Sequence, residues 1–225
     1  MTPRLSIILP VLNEAAELPS LLEHLSAYAQ RDCEIIFVDG GGTDQTVNQI
    51  QQAGYVVINA DRGRARQMNA GAGRASGQIF LFLHADTRLP DYADQQIQQA
   101  LSAWNRWGRF DVNIIGQSLL LPIIARLMNL RSRLTGIATG DQAIFVQRDL
   151  FERTGGFPDQ PLMEDIELCA RLRRITRPVC LEARVTTSGR RWESRGVWRT
   201  MLLMWTLRLA YFIGVPAEQL AKYYK

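Results

Sequence analysis

The sequence predicts an α/β fold, a single Rossmann-like domain in which helices flank a mostly parallel central sheet. Three observations predict it: short apolar runs, helical patterns that alternate with them, and polar clusters directly after the runs. A continuous apolar run, without polar alternation, is typical of a strand that is covered on both faces. A chain of 225 residues is long enough for one such core, so we expect one α/β domain.

The elements follow one another regularly through the first half of the chain. Residues 5–11 predict the first strand, and leucines at helical spacing predict a helix over residues 14–29. Further strands are predicted over residues 33–39, 55–58, 78–83 and 143–146. Further helices are predicted over residues 43–52, 65–75, 91–104, 119–134 and 165–174.

Polar side chains follow three of the predicted strands. They are Asn13 with Glu14, Asp39 with its glycine turn, and His84 with Asp86. Because the carboxyl ends of parallel strands meet at one edge of a sheet, we expect these clusters to converge on one ligand site.

Residues 39–44 form a glycine-rich turn between the second strand and the next helix. Gly41 and its neighbours let the backbone approach a ligand, and Asp44 can cap the helix. The pattern is neither a dinucleotide fingerprint nor a P-loop, which disfavours those ligands. A plain tight turn with a helix cap is the alternative.

Arginines begin the third predicted helix at Arg62, Arg64 and Arg66. Cations are unfavourable at a helix N-terminus, whereas anions bind there, so an anionic ligand would explain them. A solvated basic turn is the alternative.

A candidate metal site lies at the end of the fourth strand. His84 and Asp86 are two residues apart and share a strand face. A carboxylate and an imidazole can hold Mn²⁺ or Mg²⁺ whose other ligands are substrate phosphates. The alternatives are a structural histidine and an aspartate that caps the next helix.

Acidic residues recur later, at Asp141, Glu164 and Asp165. Transfer from a nucleotide sugar requires charge neutralisation at the diphosphate and a carboxylate that takes the acceptor proton. The cluster at Asp86, then Asp141, then the pair Glu164 and Asp165, in this order, therefore indicate metal-assisted sugar transfer. Stabilisation of a helix N-terminus is the alternative for Glu164 and Asp165.

Charge and cysteine usage narrow the partners and the compartment. The net charge is +4, and arginines concentrate in the second half, which suits an anionic partner. Nucleic acid is disfavoured because no stacking module interleaves aromatic residues with the arginines. Three cysteines without a C-x-x-C pair, and a first strand close to Met1, lead us to expect a reduced protein on the cytoplasmic side.

Residues 197–215 are apolar and nearly long enough to span a bilayer. Arg199 and Arg208 argue against spanning, because an arginine in hydrocarbon costs at least ~2.5 kcal/mol. Two alternatives stay open: a helix that packs on the core or in a homodimer, and a helix in the membrane interface beside the inner face of the cell membrane. In the second case Arg190, Arg191 and Arg195 would contact anionic lipid.

Five motifs in order resemble a known family. They lie at residues 8–14, 38–44, 83–87, 155–157 and 164–165. Together they resemble the family 2 glycosyltransferases, which have the GT-A fold. The resemblance covers roughly residues 5–192. We expect a GT-A domain at residues 1–195 and an apolar or amphipathic helical segment at residues 196–225, packed on that domain or on a membrane or dimer surface.

The resemblance implies an inverting transfer of a sugar from a nucleoside-diphosphate sugar, with UDP expected, to a hydroxyl acceptor. A lipid-linked or apolar acceptor would follow if residues 197–215 lie in the membrane interface. The resemblance also implies that Ala85 contacts the nucleotide and that Asp86 binds a metal, with His84 where the family has an acidic residue. Asp165, beside Glu164, would be the base. The nucleotide base and ribose would contact Pro10, Asn13, Glu14, Asp39 and Asp44. The diphosphate would lie near Arg62, Arg66 and Asn69. The acceptor or a phosphate would lie near Asp141, Arg190, Arg191 and Trp192. A binding or regulatory protein that holds a nucleotide sugar without turnover is the alternative.

Overall fold

The computed structural model describes residues 4–224 and contains one mixed sheet with helices on both faces. The strands are β1 (Leu5–Val11), β2 (Glu34–Asp39), β3 (Val56–Asn59), β4 (Ile79–Phe82), β5 (Thr87–Arg88), β6 (Trp107–Ile115), β7 (Phe145–Gln147) and β8 (Val179–Ser188). The helices are α1 (Leu18–Ala29), α2 (Thr46–Gln52), α3 (Arg64–Arg74), α4 (Ala93–Ala100), α5 (Leu121–Thr135), α6 (Arg148–Arg153), α7 (Glu164–Arg173), α8 (Arg190–Arg195), α9 (Val197–Phe212) and α10 (Ala217–Ala221).

The strand order is β3-β2-β1-β4-β7-β6-β8-β5. The first four strands in this order are parallel, as are β6 and β8, whereas β7 and β5 run antiparallel to their neighbours. This confirms the predicted α/β class with a mostly parallel sheet.

Strand β1 shows why its continuous apolar run indicated a central strand. Ile7 and Leu9 are buried in one core cluster, and Ile8 between them is buried in a second cluster. Because successive side chains point to opposite faces, both faces of β1 are covered. The sheet therefore separates two apolar cores.

Several predicted helix boundaries differ by a few residues from those of the structure. The helix predicted from residue 14 begins at Leu18. The helix predicted from residue 43 begins at Thr46, whose amide donates to Asp44 Oδ1 at 2.9 Å. The helix predicted over residues 91–104 is confined to Ala93–Ala100.

Strand β6 was not predicted, because two of its residues are charged and nevertheless buried. Arg109 and Asp111 share one face of the strand and pair with each other. Arg133 of α5 donates to the second carboxylate oxygen of Asp111 at 2.8 Å. These partners neutralise charges that, in the sequence, interrupt the apolar run.

The C-terminal part of the chain folds back across the sheet edge where β4 ends. Leu207 of α9 is buried against Leu162, Met163 and Leu220 in a separate small cluster. Among residues 4–224, no helix combines the length and apolarity needed to cross a membrane.

Candidate active site

The glycine turn after β2 is organised by Asp39. Its side chain is buried, and its carboxylate accepts hydrogen bonds from the amides of Gly41 at 3.0 Å and Gly42 at 3.2 Å. Gly41 has φ +85°, a left-handed conformation that favours glycine. The turn thus presents backbone to solvent beside a fixed carboxylate.

The loops after β1 and β2 are bonded to each other and form one wall. Asn13 accepts a hydrogen bond from the amide of Thr43 at 2.8 Å. The amide of Glu14 donates to Thr46 Oγ1 at 2.8 Å, and the amide of Ala15 donates to Asp44 Oδ2 at 3.1 Å. The polar residues predicted to surround a nucleotide are therefore held as a unit at the carboxyl edge.

This wall has a buried support that the sequence did not single out. Gln67 of α3 donates through Nε2 to the carbonyls of Val11 at 2.9 Å and Val38 at 2.8 Å. A Cβ at Gly40 would lie 3.0 Å from the Gln67 side chain, so this glycine gives the amide its room.

A cavity of about 470 Å³ lies beside this wall, at the end of β4. It is bordered by the β4 end, a 3-10 turn at Gly140–Gln142, the start of α7, and the helices α8 and α9. Its charged side chains are Arg64, His84, Asp86, Asp141, Glu164, Asp165, Arg191, Arg195, Arg199 and Arg208.

Hydrogen bonds fix the acidic side of the cavity. His84 Nδ1 lies 3.3 Å from Asp141 Oδ1. Asp165 accepts from the amide of Gly140 at 2.8 Å and from the amide of Ile166 at 2.7 Å. Because each oxygen of Asp165 accepts one backbone N–H, the carboxylate has a defined orientation and keeps lone pairs for a further donor.

Burial changes the protonation of this acidic pair. Desolvation is the main cause that raises the pKa of Glu164 to about 7, and the negative charge of Asp165 contributes in the same direction. Desolvation also raises the pKa of Asp165, although its two backbone hydrogen bonds oppose the change. A carboxyl pKa near neutrality is the property that general acid–base catalysis uses.

Arginines also line the cavity, among them Arg64 and Arg191. Desolvation opposes the charge of Arg64, but the nearby Glu164, Tyr224 and Asp141 outweigh it and raise the pKa of Arg64. Arg191 lies over the Tyr224 ring, 4.2 Å from its centroid. The site therefore joins acidic groups and fixed cations across one space, as binding of a metal and a phosphate requires.

The structure does not bring every predicted residue to this cavity. Arg66 pairs with Asp159 at 2.7 Å. The Asn69 side chain makes two hydrogen bonds to the Phe157 backbone: it donates to the carbonyl at 2.8 Å and accepts from the amide at 2.9 Å. These side chains secure the loop before α7, so their local role is to position that loop.

Of the predicted residues that remain, Trp192 lines the cavity, whereas Arg190, Ala85, Arg62 and Pro10 are not among its lining residues. Arg190 pairs with Glu17 at 2.8 Å. Ala85 is buried and Arg62 is exposed. Pro10 lies within β1, opposite Val38.

The C-terminal segment contributes to the cavity in a way that its sequence pattern did not predict. Tyr223 and Tyr224 line the cavity, as do Arg199 and Arg208 of α9. In the sequence, the two arginines indicate only that the segment does not span a membrane. Arg64 could be recognised from the sequence as a candidate anion-binding residue, because it begins α3 and anions bind at helix N-termini.

Asp86 and His84 fit a metal that takes most of its ligands from a bound phosphate. Asp86 lines the cavity, and Oδ1 accepts only a 3.2 Å bond from Thr87 among the residues described here. Within residues 4–224, no group of three or more His, Cys, Asp or Glu side chains is arranged to hold a metal by itself. A cation bound by one carboxylate and substrate oxygens is consistent with both observations.

The fold is that of the GT-A glycosyltransferases. A mannosyltransferase from Pyrobaculum calidifontis, in complex with GDP-Man and Mn²⁺, aligns with a TM-score of 0.63 at 20% identity, over 83% of this chain and 57% of that one. Glucosyl-3-phosphoglycerate synthase from Mycobacterium tuberculosis, in complex with Mn²⁺, UDP and glucosyl-3-phosphoglycerate, aligns with a TM-score of 0.60 at 18% identity, over 82% of this chain and 71% of that one.

The chain belongs to glycosyl transferase family 2, whose family model matches residues 6–120. A PGL/p-HBAD biosynthesis glycosyltransferase of Mycobacterium bovis is 36% identical over 94 residues, 39% of this chain and 37% of the relative. An undecaprenyl-phosphate 4-deoxy-4-formamido-L-arabinose transferase of Pseudomonas paraeruginosa is 28% identical over 139 residues, 50% of this chain and 41% of the relative. The match thus spans less than half the length of these curated relatives.

Proposed function

We propose that this protein transfers a sugar from a nucleoside-diphosphate sugar to a hydroxyl acceptor, with inversion at the anomeric carbon. The observation that carries the proposal is the cavity whose lining contains Asp86, Glu164 and Asp165 together. A group that can bind a metal–diphosphate and a group that can accept a proton thus border the same space.

The donor nucleotide would bind against the wall formed by the loops after β1 and β2. UDP is the proposed nucleotide that carries the sugar. Asp39, Asn13 and Asp44 hold that wall rigid through backbone hydrogen bonds. UDP in one solved relative structure and GDP-Man in another support a nucleoside diphosphate. A preformed wall lowers the entropy cost of binding.

Asp86, with His84 beside it, would hold Mn²⁺ or Mg²⁺. The ion would neutralise negative charge on the departing diphosphate. Mn²⁺ in the two solved relatives supports this choice of cofactor. Arg64, at the start of α3, lines the same cavity and supplies further positive charge.

Asp165 would take the proton from the acceptor hydroxyl, with Glu164 as the neighbouring carboxyl. Two backbone N–H groups orient Asp165, and burial raises its pKa, which strengthens it as a base. The acceptor oxygen would attack from the face opposite the diphosphate, so one displacement inverts the configuration.

The name of one relative, an undecaprenyl-phosphate 4-deoxy-4-formamido-L-arabinose transferase, supports an acceptor that carries a lipid. Apolar side chains of α9, Leu203 and Met204, lie beside arginines in the cavity wall. A wall of this composition suits an amphipathic acceptor.

Calorimetric titration with UDP and with GDP, each with and without Mn²⁺, tests the donor site. We expect metal-dependent binding of UDP. Folded protein that binds neither nucleotide would overturn the proposal.

A non-catalytic protein that holds a nucleotide sugar is the second candidate. It is favoured by the fact that both oxygens of Asp165 already bond to backbone, as in a purely structural carboxylate. Substitution of Asp165 by asparagine separates the candidates, because only catalysis requires a base there.

A further inference from the structure

The surface of the protein has an unusual concentration of exposed apolar side chains on two helices. On α9, the exposed fractions of Trp198, Leu202, Trp205, Leu209 and Phe212 range from 59% to 87%. Their spacing of i, i+4, i+7, i+11 and i+14 places them on one face of the helix. We call these five residues the α9 stripe.

A second stripe lies on α5. Ile123, Leu127, Leu130 and Leu134 are between 46% and 75% exposed and follow the same helical spacing. We call these four residues the α5 stripe. Together with Leu119 and Ile213, the two stripes hold 11 of the 17 large hydrophobic residues that are exposed in residues 4–224. These exposed apolar side chains are concentrated on two helices, unlike the single exposed leucines that are scattered over an ordinary protein surface.

The two helices are linked at their N-terminal ends. The Glu193 carboxylate of α8 accepts a hydrogen bond from the amide of Ser118 at 3.0 Å, just before α5. Leu121 of α5 and the partly buried Val197 and Met201 of α9 pack into the same core cluster. The two stripes therefore belong to neighbouring parts of the surface.

The charge of these segments is of one sign. Residues 112–140 and 194–217 contain no aspartate or glutamate, although the whole chain contains 22 acidic residues. Each segment contains three arginines, and Arg126, Arg195 and Arg199 are exposed. An anionic surface complements this charge, whereas a second copy of the same surface would place like charges together.

We propose that the α5 and α9 stripes dock the protein on a bilayer surface that contains anionic lipid. Tryptophans on an apolar helix face, with arginines nearby, are characteristic of helices that lie in the membrane interface. The inner face of α9 lines the cavity through Thr200, Leu203 and Met204. Docking therefore brings the cavity wall next to the lipid headgroups, and it does so whether or not the protein transfers a sugar.

Vesicle flotation of the full chain tests this surface. Vesicles of phosphatidylcholine alone are compared with vesicles of equal parts phosphatidylcholine and phosphatidylglycerol, at low and high salt. We expect binding to the anionic vesicles that weakens with salt. The double variant Trp198→Ser/Trp205→Ser should partition about tenfold less well or worse, because it loses the two largest apolar groups of the α9 stripe.

Trp104→Ser is the matched control, since Trp104 is 85% exposed outside both stripes. It should float as the wild type does. A second double variant, Leu127→Ser/Leu130→Ser, reports on α5 independently of any folding defect in α9. Absence of flotation, or equal losses in the control and the stripe variants, would overturn the proposal. A stable dimer in sedimentation that the stripe variants dissociate would also overturn it and assign the surface to a second copy. UDP titration of the same variants reads the donor site separately.

Discussion

His84 Nδ1 lies 3.3 Å from Asp141 Oδ1, and this contact joins the end of β4 to the 3-10 turn before β7. Burial disfavours the charged form of Asp141, but the hydrogen bond from His84 and the positive charges nearby outweigh it and lower the pKa of Asp141. The same 3-10 turn donates the Gly140 amide to Asp165. One turn thus connects the proposed metal side of the cavity to the proposed base.

Gly140 makes this connection possible, because a Cβ there would lie 2.5 Å from the His84 ring. We expect Gly140→Ala to displace the ring and lower the free energy of unfolding by about 1–3 kcal/mol. The measurement is urea unfolding. Gly73→Ala is the control, since its Cβ would meet nothing within 4 Å. Gly73 is the penultimate residue of α3, so an alanine there should stabilise by up to about 0.5–1 kcal/mol. Equal effects of the two substitutions would contradict this account.

Asp86→Asn should abolish the metal-dependent part of UDP binding. The substitution keeps the side-chain volume but removes the charge that a divalent cation requires. We expect roughly a tenfold or larger rise in Kd with Mn²⁺ present and little change without it. Calorimetry provides the measurement, and Asp91→Asn, which lies outside the cavity lining, is the control. An unchanged response to Mn²⁺ would remove Asp86 from the metal site.

Asp165→Asn should reduce sugar transfer roughly 10²–10⁴-fold, because an amide cannot accept the acceptor proton. Nucleotide binding should be unchanged, since the hydrogen-bond partners of Asp165, Gly140 and Ile166, lie outside the proposed donor wall. Turnover of the donor and calorimetric binding of UDP are measured on the same protein. Glu167→Gln is a control on the same helix, where Glu167 pairs with Arg171 at 3.0 Å. Retained turnover in Asp165→Asn would favour the non-catalytic candidate.

The raised pKa of Glu164 predicts a pH dependence of stability. A carboxyl group whose pKa is about 7 in the folded state binds more protons there than in the unfolded chain, where its pKa is about 4.3. Stability should therefore fall as pH rises from about 4 to 7. The free energy of unfolding of the wild type should differ by about 2–3 kcal/mol between the two ends of this pH range, and Glu164→Gln should remove that difference. Urea unfolding at several pH values provides the measurement. Parallel curves for the variant and the wild type would refute the raised pKa.

Much of the N-terminal half was predictable from local sequence. Strands β1, β2 and β4 are buried on both faces, so their apolar runs are continuous and recognisable without neighbours. Their order fixes where the carboxyl ends lie, and the polar residues after them meet at one edge as expected. Strand β8 was missed because its exposed and buried residues mix along the strand.

Other contacts of the fold join residues that are far apart in the chain. Asn69, which the family resemblance places near the diphosphate, bonds to Phe157, 88 positions later. The buried Arg109 is balanced by Asp111, which is also bonded by Arg133 of α5. No local pattern contains such pairs, because they form only when the chain has folded.

By itself, the sequence determined the α/β class, the family motifs and the strand ends that carry Asn13, Asp39 and Asp86. These follow from periodicity and from residues adjacent in the chain. Only the tertiary structure decided that the arginines of α9 line the cavity while its tryptophans face outward. The physical reason is that a helix fixes which side chains share a face, but its packing partners choose which face is covered.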